Sequence, residues 1–202
     1  LHDALPILAT LTAQTKMTAR EAAVKIADRI LASTTYEFKN TKTGEIYKSV
    51  KKLPLDMDVK VACKYNNWHY TNGVTNMALM ELGDKLGDKK YEKYVLKNMN
   101  FVFNEGNLDF FRKQYDEAFK RDGWNAVRKL SWHMIFRGKR LDDNGPMGAS
   151  LIELQLKYPN DSFLGYINET AEHLNYGEPR LVDGTIARIW PHVNTIWADD
   201  AF

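Results

Sequence analysis

Residues 73–94 read GVTNMALMELGDKLGDKKYEKY, and residues 145–166 read GPMGASLIELQLKYPNDSFLGY, a near copy that begins 72 residues later (145 minus 73). The matching positions are Gly73, Ala78-Leu79, Glu81-Leu82, Tyr91 and Tyr94 in the first copy, and Gly145, Ser150-Leu151, Glu153-Leu154, Phe163 and Tyr166 in the second. Each copy has an apolar run at helical spacing, a polar turn and a second, aromatic run, so each predicts a helical hairpin. Because internal repeats are typical of toroids and solenoids, we predict an all-α fold.

The rest of the chain also favours helices joined by turns. Thr18-Ala19-Arg20-Glu21 is a capping box, which predicts the start of a first helix. The polar, lysine-rich residues 39–52 predict a loop, and residues 108–137 form extra helical material between the two copies. Strand signals are scarce, with at most a short ribbon near residues 186–189.

The composition is that of a globular domain. The 202 residues are 44% hydrophobic and 27% charged, which is neither a disordered nor a membrane-like balance. The net charge of +2 gives no reason to propose nucleic acid or a membrane as a partner. No apolar run is long enough to span a bilayer. A single cysteine, Cys63, excludes an internal disulfide and an all-cysteine zinc site.

Both ends of the sequence carry a specific expectation. Residues 1–7, LHDALPI, resemble translated sequencing adapter, so we treat them as a non-native leader and exclude them from the fold. Residues 8–202 are expected to form part of one catalytic domain. Because the Trp197-Ala198-Asp199-Asp200 motif stands at the last positions, we expect the N-terminal part of a longer enzyme, inactive by itself.

Three polar clusters stand at predicted helix starts. Trp68-His69-Tyr70 precedes Gly73, Asp142-Asp143 precedes Gly145, and Asp199-Asp200 would open a third helix. In a closed ring of hairpins, equivalent helix starts face the same end of the barrel, so the clusters would converge on one pocket. A solenoid would instead distribute them along a groove.

These residues resemble the unsaturated glucuronyl and rhamnogalacturonyl hydrolases, glycoside hydrolase families 88 and 105, and the latter more closely. The matching motifs are Trp68-His69-Tyr70 with Gly73, Leu141-Asp142 with Gly145 and Gly148, Asp183-Gly184-Thr185, and Trp197 with Asp199. The resemblance implies an (α/α)6 barrel, of which this chain would form a truncated, open part. It implies neither a cofactor nor a metal, and a partner that is an oligosaccharide ending in an unsaturated uronic acid.

The chemistry that the resemblance implies needs two carboxyl groups. Polysaccharide lyases leave a uronic acid with a C4=C5 double bond. Protonation of C4 creates a cation at C5, water adds there, and the resulting hemiketal opens and releases the glycosidic partner. By resemblance, Asp199 is the general acid and then the base that activates water, and Asp142 is its partner. Crowding by Asp142 would keep Asp199 protonated.

Four further residues are candidates for binding the sugar. Tyr70 and Trp68 match the family at a position that contacts the sugar, and Arg188 and His192 are candidates to hold the uronate carboxylate, Arg188 by bidentate pairing. The structural alternatives stay open at each position. Tyr70 and Trp68 would also suit a core, and His192 an exposed surface.

Structural roles also remain for the other polar residues. An isolated aspartate at these helix starts would serve as an N-cap, which is the role expected of Asp143 and Asp200. Trp132 and His133 are expected to pack in the helical insertion.

Two other functions compete with this reading. A helical-repeat module that binds a peptide or protein along a groove would explain the repeat but not the acid pairs. Metal-dependent hydrolysis by the acid pairs with His192 is a third possibility, although no acid or histidine spacing specific for a metal is present.

Overall fold

The fold is mainly helical, as the sequence predicts. The computed structural model describes residues 17–104, 106–137, 141–188 and 192–196, without the side chain of Asp143. Within these ranges there are six α-helices and one small sheet. No helix in the described part of the chain has the length and apolar character needed to cross a membrane.

The predicted capping box forms and starts the first helix, α1 (Ala19–Ser33). The Thr18 hydroxyl accepts from the Glu21 amide at 3.2 Å, and the Thr18 amide donates to Glu21 Oε2 at 2.8 Å. These two bonds satisfy amides that a helix start otherwise leaves free. The helix then lies against α3 (Lys90–Phe103), where the Tyr91 hydroxyl donates to Asp28 at 2.9 Å.

The prediction that residues 39–52 form a loop is wrong. This stretch and its neighbours form an antiparallel sheet of β1 (Phe38–Asn40), β2 (Ile46–Tyr47) and β3 (Val59–Val61) in the order β2-β1-β3, with a short 3₁₀ helix at Val50–Lys52. The sheet forms because alternate residues Phe38, Val59 and Val61 are buried in the core, while the intervening lysines lie on the outer face.

Both predicted hairpins are confirmed. The first consists of α2 (Tyr70–Leu86) and α3, joined at Gly87, whose φ of 66° is the left-handed conformation that glycine favours at a helix end. The second consists of α5 (Leu141–Lys157) and α6 (Asp161–Glu172), and a turn of π-helix, His173–Gly177, follows it. The helix predicted to begin at Gly73 begins three residues earlier, at Tyr70.

The first helices of the two hairpins, α2 and α5, pack side by side and parallel. Near their starts, Gly73 lies against the backbone of Pro146, so closely that a Cβ at Gly73 would stand 2.6 Å from the Pro146 carbonyl oxygen. Near their ends, Lys157 Nζ lies 2.9 Å from Asp84 Oδ1 and also binds Glu92. Since starts meet starts and ends meet ends, both helices begin at the same end of the molecule.

The predicted helical insertion is present between the copies. It contains α4 (Asn107–Val127), which kinks at Asp122 and Gly123, and a 3₁₀ helix at His133–Phe136. Trp132 is buried between Phe111, Phe101 and Trp68, with ring centroids 5.7 to 6.4 Å apart. The insertion therefore closes the aromatic core beneath the start of α2.

Candidate functional site

The start of α2 carries the first predicted cluster. His69 is the N-cap, and its Nδ1 lies 2.9 Å from the Thr71 hydroxyl. Tyr70 is the first residue of the helix and is 43% exposed. The His69 and Tyr70 rings lie 4.6 Å apart and inclined by 33°. Tyr70 thus offers an accessible aromatic face at the predicted position.

Trp68 lies in the core and not on an accessible surface. Its side chain is fully buried, and its ring contacts Tyr166 at 4.8 Å and Phe103 at 6.4 Å between centroids. A ring enclosed in this way packs against its neighbours and has no free face for a sugar. The structural alternative for Trp68 therefore applies, and its contribution to a site is to hold Tyr166.

The first turn of α5 carries Asp142. Its Oδ2 lies 3.5 Å from Nη2 of Arg188, a pairing across 46 residues (188 minus 142). Its Oδ1 is buried and has no hydrogen-bond partner among the described residues. Pro146 lacks an N–H and cannot donate the helical hydrogen bond to the Asp142 carbonyl. A buried oxygen without a hydrogen-bond partner costs free energy, so the Asp142 side-chain atom Oδ1 is expected to accept a hydrogen bond.

Arg188 and His192 both follow α6 in the chain, and Arg188 forms a bridge with Thr195. The Arg188 amide donates to the Thr195 carbonyl at 2.7 Å, and the Asn194 amide donates to the Arg188 carbonyl at 2.9 Å. The Arg188 side chain is only 9% exposed because it turns towards Asp142, whereas His192 is exposed. The structure therefore joins Arg188 to Asp142 and leaves His192 at the surface.

A turn precedes Arg188 at Asp183-Gly184-Thr185. Asp183 Oδ1 accepts from the Thr185 amide at 2.9 Å, and Gly184 has a φ of 89°. That backbone conformation requires glycine. The ribbon predicted near residues 186–189 is seen as two isolated bridges, Arg180 with Ile186 and Arg188 with Thr195.

The third predicted cluster lies outside the described residues. Trp197, Asp199 and Asp200 belong to it, so the separation of Asp142 from Asp199 is not defined, and neither is the side chain of Asp143. The structure thus brings Asp142 and Arg188 together, with Tyr70 on the neighbouring helix start, and leaves Asp199 as a prediction.

His133 was expected to pack, but it has chemical features that the sequence did not indicate. Its Nδ1 lies 2.8 Å from the Leu130 carbonyl, which can only accept, so Nδ1 carries the proton and Nε2 is an acceptor in the neutral ring. Burial lowers the pKa of His133, and the nearby Arg137 and His69 lower it further, against the effect of the hydrogen bond to Leu130. His133 therefore favours the neutral form near the start of α2.

A cavity of about 390 Å³ opens beside the first turn of α5. It is bounded by Asn144 from α5, Tyr166, Glu169 and Glu172 from α6, and Tyr176 from the π-helical turn. The Tyr166 hydroxyl donates to Asn144 Oδ1 at 2.9 Å, which fixes both groups at the wall of this cavity. Sequence reasoning did not single out Asn144, because residues two apart on a helix point to different sides and the Asp142 motif gave no signal for it.

The arrangement provides one carboxylate paired with one guanidinium, Asp142 with Arg188, and an accessible tyrosine ring, Tyr70, at the start of the neighbouring helix. Among the described residues, no group of three or more His, Cys, Asp or Glu side chains is arranged to hold a metal ion. A carboxylate beside an arginine can act on a polar, hydroxyl-rich ligand by proton transfer and hydrogen bonding. Comparison with known protein families and with curated proteins finds no match for this chain.

Proposed function

We propose that this chain is the N-terminal part of a hydrolase that removes an unsaturated uronic acid from the non-reducing end of an oligosaccharide. One observation carries the proposal. The parallel packing of α2 and α5 puts Tyr70 and Asp142, which begin two copies of one repeat, at the same end of the molecule. Convergence of this kind is what a two-carboxylate site at one end of a barrel requires.

Exposed apolar residues on α5 favour a larger ring, in which a further hairpin packs against the pair α2 and α5. Ile152 and Leu156 on α5 are 47% and 79% exposed. Their counterparts on α2, 72 residues earlier, are Met80, which is 2% exposed, and Asp84, which binds Lys157 of α5. At Ile152, α5 is thus exposed where α2 is covered at Met80, while the Asp84 position stays largely exposed. We infer that another hairpin covers the exposed apolar residues of α5 in an (α/α)6 barrel.

The proposed reaction begins with protonation of C4 by Asp199. The positive charge then develops at C5 and the ring oxygen, next to Asp142. Water attacks C5 and gives up a proton to Asp199, now the base, so the carboxyl group ends as it started. The C5 hemiketal opens to a ketone, and C1 releases the leaving sugar as an alcohol. Acid and base assistance of this type contributes about two to four orders of magnitude in rate.

The surroundings of Asp142 support its role as the partner acid. Arg188 engages Oδ2 and leaves Oδ1 without a donor among the described residues. In the proposed enzyme the protonated Asp199 supplies that donor. Because Arg188 lies beside Asp142, the proposal also assigns it to pair with the uronate carboxylate, the role that the sequence predicts for it.

An absorbance assay on the full-length protein tests the proposal. The C4=C5 double bond conjugated to the carboxylate absorbs in the ultraviolet, and hydration removes it. We expect wild-type protein to remove this absorbance from unsaturated disaccharides made with pectin or glycosaminoglycan lyases. Asp142→Asn should lower the rate by about 10²- to 10⁴-fold. Asp161→Asn is the matched control, because Asp161 also lies in the first turn of a helix but begins α6 at the opposite end.

Two results would contradict the proposal: unchanged absorbance with every unsaturated uronide, or equal loss of activity in both variants. The first would favour the repeat as a binding module, and the exposed edge of α5 gives that alternative a surface to use. The second would show that the substitution acts through folding.

A further inference from the structure

A basic cleft lies between the sheet and the end of α4, on a different part of the molecule from the candidate site. It measures about 260 Å³, and four cations line it: Lys42, Lys60, Arg121 and Lys129. Met57 and Ala126 form an apolar part of the wall, and Asp58 and Asp122 are its acidic members. No aromatic side chain is found among these described lining residues.

One lysine that lines this cleft, Lys60, has another lysine directly opposite it in the sheet. In the antiparallel pair of β1 and β3, Lys39 is the cross-strand partner of Lys60. Both alternate with the buried residues Phe38, Val59 and Val61, so both lie on the outer face of the sheet. Like charges directly opposite destabilise a sheet. An anion bound at Lys60 in the cleft would lessen this repulsion.

The acidic residues of the cleft do not neutralise it. Asp58 is held by Lys42 at 2.5 Å, and this bond lowers the pKa of Asp58, with smaller contributions from Lys60 and Arg121. Lys60, Arg121 and Lys129 form no ion pair within the described part of the chain. Against these three cations stands Asp122, so the cleft keeps an excess of positive charge.

We propose that the basic cleft binds the carboxylate groups of an acidic polysaccharide built from uronic acid units. The choice of uronate rests on the proposed function, because that substrate is itself cut from such a polymer. The volume suits one charged sugar unit better than a large ligand. The absence of aromatic side chains among the lining residues argues against single-stranded nucleic acid, which relies on stacking.

Titration of the full-length protein with oligogalacturonate, followed by calorimetry, tests the proposal. An exposed ion pair contributes up to about fivefold in affinity, so we expect Lys60→Ala/Arg121→Ala to weaken binding by about five- to twenty-five-fold. Binding should also weaken as salt screens the charges. The matched control is Lys25→Ala/Lys93→Ala, which removes the same charge from exposed positions on α1 and α3.

Equal affinity of the two double variants would overturn the proposal. So would tighter binding of single-stranded RNA than of oligogalacturonate, or equal binding of inorganic phosphate, since each points to another anion. Thermal unfolding checks that both variants fold. Hydrolysis of an unsaturated disaccharide is measured in parallel. If the protein hydrolyses the disaccharide but does not bind oligogalacturonate at the cleft, only this inference is contradicted. If it binds oligogalacturonate at the cleft but does not hydrolyse the disaccharide, only the proposed function is contradicted.

Discussion

Replacing Gly73 by alanine tests the close approach of α2 to α5. Gly73 is buried, and a Cβ there would stand 2.6 Å from the Pro146 carbonyl oxygen and 2.5 Å from the Met147 amide nitrogen. Side chains can rotate away from an added methyl group, but these atoms belong to the backbone of a helix. The two helices would have to separate to accommodate the methyl group.

The size of the effect follows from two opposing contributions. Overpacking costs about 1–3 kcal/mol, and the backbone contacts place Gly73 at the upper end. Alanine is favoured over glycine inside a helix by about 1 kcal/mol. The net expectation for Gly73→Ala is a loss of about 2 kcal/mol in the free energy of unfolding. For a protein of this size that corresponds to a fall of about 4–8 °C in Tm.

Gly165→Ala provides the control, measured by urea and thermal unfolding. Gly165 lies in α6, and a Cβ there would meet no atom within 4 Å. Only the helical preference then applies, so this variant should gain about 0.5–1 kcal/mol. The two identical substitutions are therefore expected to have opposite signs. A Gly73→Ala protein as stable as wild type would refute the parallel close packing of α2 and α5.

Two further predictions concern stability and pH. Hydrogen bonds from Tyr158 and then Lys157 lower the pKa of Glu92 below its usual 4.5. The stabilisation from these bonds is therefore present above that pH and is lost as the pH falls. Glu92→Gln should flatten this acid dependence of the free energy of unfolding, and an unchanged slope would contradict the prediction. Burial lowers the pKa of His133 below its usual 6.5, so the free energy of unfolding should fall as the pH drops below about that value. His133→Gln should remove this part of the pH dependence. An identical pH profile in the variant would show that His133 does not contribute to it.

Much of the helical framework could be predicted from local signals. The capping box at Thr18 and the turn at Gly87 depend on residues within one helical turn, and both form as predicted. The sheet was missed because its strands are only two or three residues long. So short a strand shows one alternation at most, and the burial of Phe38 against Val61 depends on a partner 23 residues away (61 minus 38).

The candidate site was predictable only where the repeat constrained it. The repeat placed Tyr70 and Asp142 at equivalent helix starts, and their helices do begin at the same end. The pairing of Arg188 with Asp142 and the closure of the core around Trp68 depend on tertiary contacts between distant segments. Neither leaves a periodic signal in the sequence, so composition alone could not separate a sugar-binding tryptophan from a core tryptophan.

The proposed hydration chemistry is tested most directly by running the reaction of the full-length protein in D2O and analysing the products by NMR. Protonation of C4 by a solvent-exchanged Asp199 predicts one deuterium at C4 of the uronate product, together with loss of the vinyl proton signal. The Asp142→Asn protein should form this product far more slowly than wild type. Release of the leaving sugar with the C4=C5 double bond intact and no deuterium at C4 would contradict the account, because the enzyme would then cut the glycosidic bond by direct displacement.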